Sequence, residues 1–211
     1  MRVFLVLCLW AGAVSAQEVR VVDGDTLDIG DQRYRIEGID APERGQRCQS
    51  KAGLTTCGKD ALLHLEALIG DAAVRCEDGE DDKYGRIVAR CWVGNVDLGA
   101  AMIAGGQAWA FTRYSDTYAA DELEAKARGL GIWEADNMPA WDYRAERWAV
   151  AAQVAPNGCP IKGNISDNGR IYHPPWSPWY SRTRISPAKG ERWFCSEAEA
   201  LAAGWRAPRR R

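Results

Sequence analysis

Apolar and polar positions alternate from Glu18 to Asp40. Val19 and Val21 precede the turn Asp23-Gly24-Asp25, Leu27 and Ile29 follow it, and Tyr34 and Ile36 continue beyond a second turn at Gly30-Asp31. A two-residue period broken by Asp-Gly and Gly-Asp pairs predicts three short strands in a meander, because successive strand side chains face opposite sides of a sheet. The period then lengthens. Between Lys59 and Ile69 the apolar positions 62, 63, 65, 68 and 69 share one helix face, and Gly70 stops the helix. Val74–Glu77 and Arg86–Val93 are strand-like and bracket an acidic turn. Val96–Ala104 reads as a short helix stopped by Gly105-Gly106, and Ser115–Arg128 as an Ala/Glu/Lys-rich helix followed by Gly129. Ala140–Val154 is a further helix, with Trp141, Arg144, Trp148 and Ala151 spaced for one face. Ala155-Pro156-Asn157-Gly158 is a linker signal, and a compact Trp-rich segment follows it.

Five or six short strands with helices between them fit a small closed β-barrel. The expected α+β fold is a five-stranded OB-type β-barrel with about three packed helices, plus a small disulfide-tied C-terminal domain. The expected boundaries are residues 17–136 for the barrel, 137–157 for a helix and linker, and 158–211 for the Cys/Trp-rich module.

Composition narrows the class. A chain of 211 residues, 46% hydrophobic and 27% charged, buries a real core, which excludes wholesale disorder. After the N-terminus no run is long and apolar enough for a spanning helix, so stable membrane insertion is not expected. The charge is uneven. Residues 156–211 hold 10 Lys and Arg against 4 Asp and Glu, a balance of +6, and the remainder carries −8. An acidic body with a basic tail is not a simple DNA-coating protein.

Residues 1–16 have the form of a secretory signal: Arg2, an apolar stretch from Val3 to Trp10, and the small-residue site Val14-Ser15-Ala16. Cleavage there starts the mature chain at Gln17 and implies a secreted or periplasmic protein. Cys48, Cys57, Cys76, Cys91, Cys159 and Cys195 then remain, and an even number in an exported chain implies three disulfides. Spacing favours Cys48–Cys57 across a short loop, Cys76–Cys91 across a hairpin, and Cys159–Cys195 within the C-terminal segment. Zinc is disfavoured, since there is no CxxC and the only histidines are His64 and His173.

Four clusters can carry chemistry: Asp23-Gly24-Asp25-Thr26, Tyr34 through Glu43, Asp82-Lys83-Tyr84-Gly85-Arg86, and Trp109 to Tyr114. Carboxylates of Asp25 and Asp40 suit a hard cation such as calcium, held weakly, on the order of 10⁻⁴–10⁻³ M. Glu43 is suited to accept a proton from water, and Arg35 and Arg86 to grip a phosphate and stabilise charge growing on it. Singly, each has a plain alternative as a turn residue or a solvated strand charge. One tension is geometric: residues 35 and 40 of a regular strand face opposite ways, so a bend is required, with Gly38 the expected place. The acidic run Glu77–Asp82 is expected to be a solvated loop. It is not an EF-hand, because the required glycine falls on Lys83.

In this order and spacing, Val22-Asp23-Gly24-Asp25-Thr26, Arg35, Asp40-Ala41-Pro42-Glu43, Asp82 to Arg86 and Gly129-Leu130-Gly131-Ile132-Trp133 resemble the staphylococcal-nuclease-like (thermonuclease) family. The resemblance implies an OB-type barrel and calcium-dependent hydrolysis of DNA and RNA. It implies Ca2+ held by Asp25, Asp40 and the Ala41 carbonyl, Glu43 as general base, and Arg35 and Arg86 on the phosphate. Lys83, Tyr84 and Tyr114 would contact the substrate's terminal phosphate and base. Position 41 is Ala where the founding member has a hydroxyl residue, and the Cys48–Cys57 loop has no counterpart there. A non-catalytic nucleic-acid or cell-surface binder on the same barrel is the alternative. A monomer is expected.

The C-terminal segment resembles small modules appended to some secreted nuclease-like proteins. Ser196 and Glu199 form a capping-box pattern. Its basic charge with Trp176, Trp179 and Tyr180 suits single-stranded nucleic acid or a surface, while at least two of its four Trp are expected in its own core. His173 is expected to be a packed, hydrogen-bonding residue rather than a ligand.

Overall fold

The computed structural model describes residues 18–208, so the signal-like segment 1–16 lies outside the described residues. In chain order the N-terminal part runs β1 Val19–Asp23, β2 Thr26–Ile29, β3 Gln32–Ile36, β4 Ile39–Asp40, β5 Cys48–Ser50, β6 Gly53–Thr55 and α1 Cys57–Ile69. It continues with β7 Val74–Cys76, β8 Glu80–Asp81, β9 Ile87–Ala89, β10 Cys91–Val93, β11 Val96–Asp97, α2 Leu98–Ala104, β12 Trp109–Ala110 and α3 Ala119–Arg128. Then come α4 Ala140–Val154, β13 Ile161–Ser166, β14 Gly169–His173, β15 Arg192–Phe194 and α5 Glu197–Ala202.

The expected meander forms: β1, β2 and β3 pair antiparallel. β9 then joins β3 in parallel, placing Val88 opposite Arg35, and β8 closes the edge. The run Arg86–Val93 is not one strand. It breaks at Arg90, and β10 instead pairs with β7, setting Cys91 opposite Cys76. β4 pairs with β12. The mixed α+β class stands, but among the described residues the ladders divide into separate sheets instead of one closed five-stranded cylinder. The strands are short because the chain turns corners at Gly38 and Arg90, and a corner interrupts the ladder. Part of the acidic run is also more than a loop: Glu80 and Asp81 form the exposed edge strand β8.

α1 lays Ala61, Leu62, Leu65 and Ile69 into the main hydrophobic core with Leu27, Ile36 and Met102. Leu65 is fully buried, and truncating it to Ala is worth about 2–5 kcal/mol. Asp97 caps α2, accepting the Ala100 N–H at 3.1 Å. α3 begins at Ala119, later than the expected Ser115. The Ser115 hydroxyl accepts the Thr117 N–H at 3.3 Å, a local bond that competes with helix formation.

All three expected disulfides are present: Cys48–Cys57, Cys76–Cys91 and Cys159–Cys195. The C-terminal module is a three-stranded sheet with β13 central, closed over Ile161, Tyr172, Phe194 and Trp205. Trp205 is the one of its four Trp that joins the buried core; Trp176, Trp179 and Trp193 stay half-buried. Ser196 caps α5 through the Glu199 N–H, and Glu199 reaches back to the Cys195 N–H at 2.7 Å.

α4 has the expected span but is more than a linker. Trp141 packs edge-on against Trp109 at 6.2 Å, while Trp148, two turns on, packs against the module's core. One helix face thus spans both hydrophobic clusters.

Candidate active site

Gly38 makes the site possible. Its φ of +74° belongs to the left-handed region that glycine enters freely, and it separates β3 from β4. The bend brings Arg35 and Asp40 to one side. Arg35 Nη1 lies 2.8 Å from Asp25 Oδ2, and Arg35 Nη2 lies 2.8 Å from Asp40 Oδ1. Asp25 sits at the start of the β2 side of the first turn, where its Oδ1 accepts the Thr26 hydroxyl at 2.7 Å and its Oδ2 accepts the Ala41 N–H at 3.2 Å.

Glu43 is held by its loop. Its N–H donates to Gln46 Oε1 at 3.2 Å, and the buried Gln46 side chain donates onward to the Met138 carbonyl at 2.7 Å. Gly58, in the first turn of α1, packs directly on this loop: a Cβ there would overlap the Glu43 carbonyl and lie 2.9 Å from Arg44 Cα. The Cys48–Cys57 disulfide fastens the same turn.

Arg86 belongs to a different part of the cleft. Asp82 organises its hairpin, accepting the Tyr84 and Arg86 N–H groups at 2.8 and 3.0 Å and the Arg86 Nε–H at 2.7 Å. Arg86 and Lys83 both lie about the Tyr84 ring, each 5.1 Å from its centroid. Tyr114 is exposed and packs on Phe111 at 4.9 Å. These residues line one cleft of about 1190 Å³ with Asp25, Arg35 and Glu43, while Ala41 is buried away from its lining. Asp40 lies beneath that lining, its side chain fully buried.

Arg144 of α4 was legible only as part of a helix face. Its Nη1 donates to Glu43 Oε1 at 2.7 Å and its Nη2 to Asp40 Oδ2 at 2.8 Å, bridging the two carboxylates. Asp23 also joins the cluster. Its carboxyl is raised well above the ordinary value by burial, with Glu43 and Asp25 adding to the effect. Glu43 is pushed up to about 7: burial outweighs Arg144, and the neighbouring Asp25 and Asp40 charges assist it. Burial alone would raise Asp25 too, but Arg35, the Thr26 hydroxyl and Arg86 together carry it below the usual range. Burial disfavours charge on Arg35 and Arg144 as well, and in both cases the facing carboxylates reverse it, raising the guanidinium pKa.

Four carboxylates surround two guanidinium groups; burial is the main cause of the upward shifts of Asp23 and Glu43, and the neighbouring carboxylates add to it. The donor set of Asp25 and Asp40 oxygens with a backbone carbonyl fits a hard cation such as calcium. Among the described residues no three His, Cys, Asp or Glu side chains form a preformed cage. His173 is buried and hydrogen-bonded, its Nε2 lying 3.1 Å from Asn164 Oδ1 and its Nδ1 3.4 Å from Ser177 Oγ, as expected of a packed residue.

The second wall of the cleft comes from the C-terminal module, through Tyr172, Trp176, Trp179 and Glu197. Arg44 lies over the Trp179 ring at 5.1 Å, and Trp176 packs on Trp148 at 6.2 Å.

A mixed α+β body thus sets paired carboxylate and guanidinium groups at an open cleft. The staphylococcal nuclease homologue family matches residues 33–135, and this match together with nuclease relatives above 30% identity places the chain in that family. A second family, ArfC, matches residues 144–207. The chain is 31% identical over 144 residues to the micrococcal nuclease of Shigella flexneri, covering 60% of this chain and 78% of that protein. It is 32% identical over 126 residues to the thermonuclease of Staphylococcus intermedius, covering 54% and 73%. It is also 35% identical over 136 residues to the succinoglycan biosynthesis protein ExoI of Rhizobium meliloti (strain 1021), covering 62% and 70%. Kinship with nucleases supports enzyme activity on a nucleic-acid substrate. No helix among the described residues is long and apolar enough to cross a membrane.

Proposed function

We propose that this chain is an exported, calcium-dependent nuclease that hydrolyses phosphodiester bonds of DNA, RNA or both on an OB-type barrel. The observation that carries the reading is the convergence of Asp25, Arg35 and Glu43 beside Arg86 on one solvent-open cleft, with the buried Asp40 joined to them through Arg35. Asp25, Asp40 and the Ala41 carbonyl would hold the cation, whose chemistry when bound is to offset phosphate charge and polarise the phosphoryl group. Glu43, with a carboxyl near neutrality, takes the proton of the attacking water. Arg35 and Arg86 hold the phosphate and stabilise charge as the new bond forms. Lys83, Tyr84 and Tyr114 border the cleft where a terminal phosphate and base would lie. The module's Trp176 and Trp179 offer stacking surface along the strand's exit, which helps an acidic body hold a polyanion. Export rests on the signal form of residues 1–16.

The test is a cleavage assay on the mature chain from Gln17, disulfides formed, with DNA and RNA, in calcium or chelator, beside Glu43→Gln. Calcium-dependent cleavage that drops by about 10² or more in Glu43→Gln supports the reading. A folded protein that cleaves nothing, or whose cleavage is untouched by Glu43→Gln, overturns it in favour of the non-catalytic binder.

A further inference from the structure

The geometry points to Arg144 as an internal cation that occupies the carboxylate site and must leave Asp40 before a divalent cation is held there. This rests on reading Asp25 and Asp40 as the cation's ligands. Arg144 is 104 residues from Asp40 and 101 from Glu43 in sequence, and it stands outside the nuclease match and at the start of the second. α4 is anchored on either side of Arg144, by Trp141 on Trp109 and by Trp148 on the module core, so the guanidinium between them is delivered by packing. Its two nitrogens span Asp40 and Glu43: Nη1 is 2.7 Å from Glu43 Oε1 and 3.1 Å from Asp40 Oδ1, and Nη2 is 2.8 Å from Asp40 Oδ2.

With Arg35 on Asp40 Oδ1 as well, both oxygens of this fully buried carboxylate already accept guanidinium N–H groups. A planar guanidinium fills this fork better than a point charge does. A divalent cation arriving at Asp40 meets a like charge on the same oxygen atoms, in a buried setting where water screens little. The two cations therefore compete. Because Arg144 sits on the helix that carries the C-terminal module, the site's affinity for metal is coupled to how that module is docked.

The experiment measures Ca2+ binding to the full mature chain by isothermal titration calorimetry, without substrate, for wild type, Arg144→Gln and Arg144→Lys. Competition requires Arg144→Gln to bind calcium about tenfold or more tightly than wild type, with Arg144→Lys in between, because a lysine cannot fork across both carboxylates. Calcium should also raise the Tm of Arg144→Gln more than that of wild type. Calcium affinity that is unchanged or weaker in Arg144→Gln overturns the assignment and leaves Arg144 as a clasp between the two halves. So does the absence of calcium binding in all three proteins. Should Arg144→Gln fail to fold, Arg144→Lys alone decides, since competition requires it to bind more tightly than wild type. Calcium-dependent cleavage with no tightening sinks the internal cation and spares the nuclease; tightening without cleavage does the reverse.

Discussion

Gly58→Ala isolates the positioning of Glu43 from its chemistry. The added Cβ would overlap the Glu43 carbonyl and lie 2.9 Å from Arg44 Cα, where ordinary contact begins near ~3.4 Å. α1 cannot simply retreat: Cys57 is bonded to Cys48, and the Gly58 N–H donates to the Gln46 carbonyl at 3.4 Å. Two effects oppose each other. Replacing a helical Gly by Ala stabilises by about 1 kcal/mol, while overpacking against backbone costs about 1–3 kcal/mol. The net loss is at most about 2 kcal/mol, which for a chain of this size is a Tm decrease of about 4–8 °C. Activity should suffer more, because a displacement near 1 Å costs about 10²-fold in rate. The assay pairs a circular-dichroism melt with kcat on a defined oligonucleotide. A Gly58→Ala protein with a raised Tm and wild-type kcat would mean that helix propensity alone operates, and would refute the close-packing argument.

Other outcomes follow from single contacts. His173 is pushed down to about 4 by burial and then by the Lys162 charge, against about 6.5 in the unfolded chain. Between those values the unfolded state binds more protons, so stability should fall with falling pH, by about 2–3 kcal/mol in all; His173→Gln should lack this component in urea melts from pH 7 to 4. Asp97 caps α2, pairs with Arg90 at 2.6 Å and accepts the Tyr118 hydroxyl at 2.9 Å. Asp97→Ala should cost about 2–3 kcal/mol in urea unfolding, and Asp97→Asn clearly less, since the cap survives. Trp176→Ala with Trp179→Ala should raise KM for a long single strand about tenfold while leaving kcat on a dinucleotide within about twofold; equal KM would remove the module from the substrate path.

Much of the molecule is local, and that part was readable along the chain. Periodicity placed α1 and α4, and Asp-Gly and Gly-Asp pairs placed the first two turns, because these signals act between near neighbours. The disulfide Cys76–Cys91 followed from two strand-like runs joined by a turn. The order of Asp25, Arg35, Asp40, Glu43 and Arg86 marked out the candidate site, and the bend at Gly38 was expected because strand alternation would otherwise set residues 35 and 40 on opposite faces. Where α3 starts depended on which of two local bonds wins, the Ser115 turn or a further helical turn. Tertiary contacts decided the rest. Arg86–Val93 reads as one strand, yet Arg90 splits it because its halves find partners in different sheets, β3 and β7. Arg144 was readable only as a member of the helix face it shares with Trp141, Trp148 and Ala151. Only the docking of α4 across two cores, bringing together residues 104 apart in sequence, turns it toward Asp40 and Glu43. No local spacing encodes that contact, because its position depends on how the N-terminal body and the module pack against the same helix.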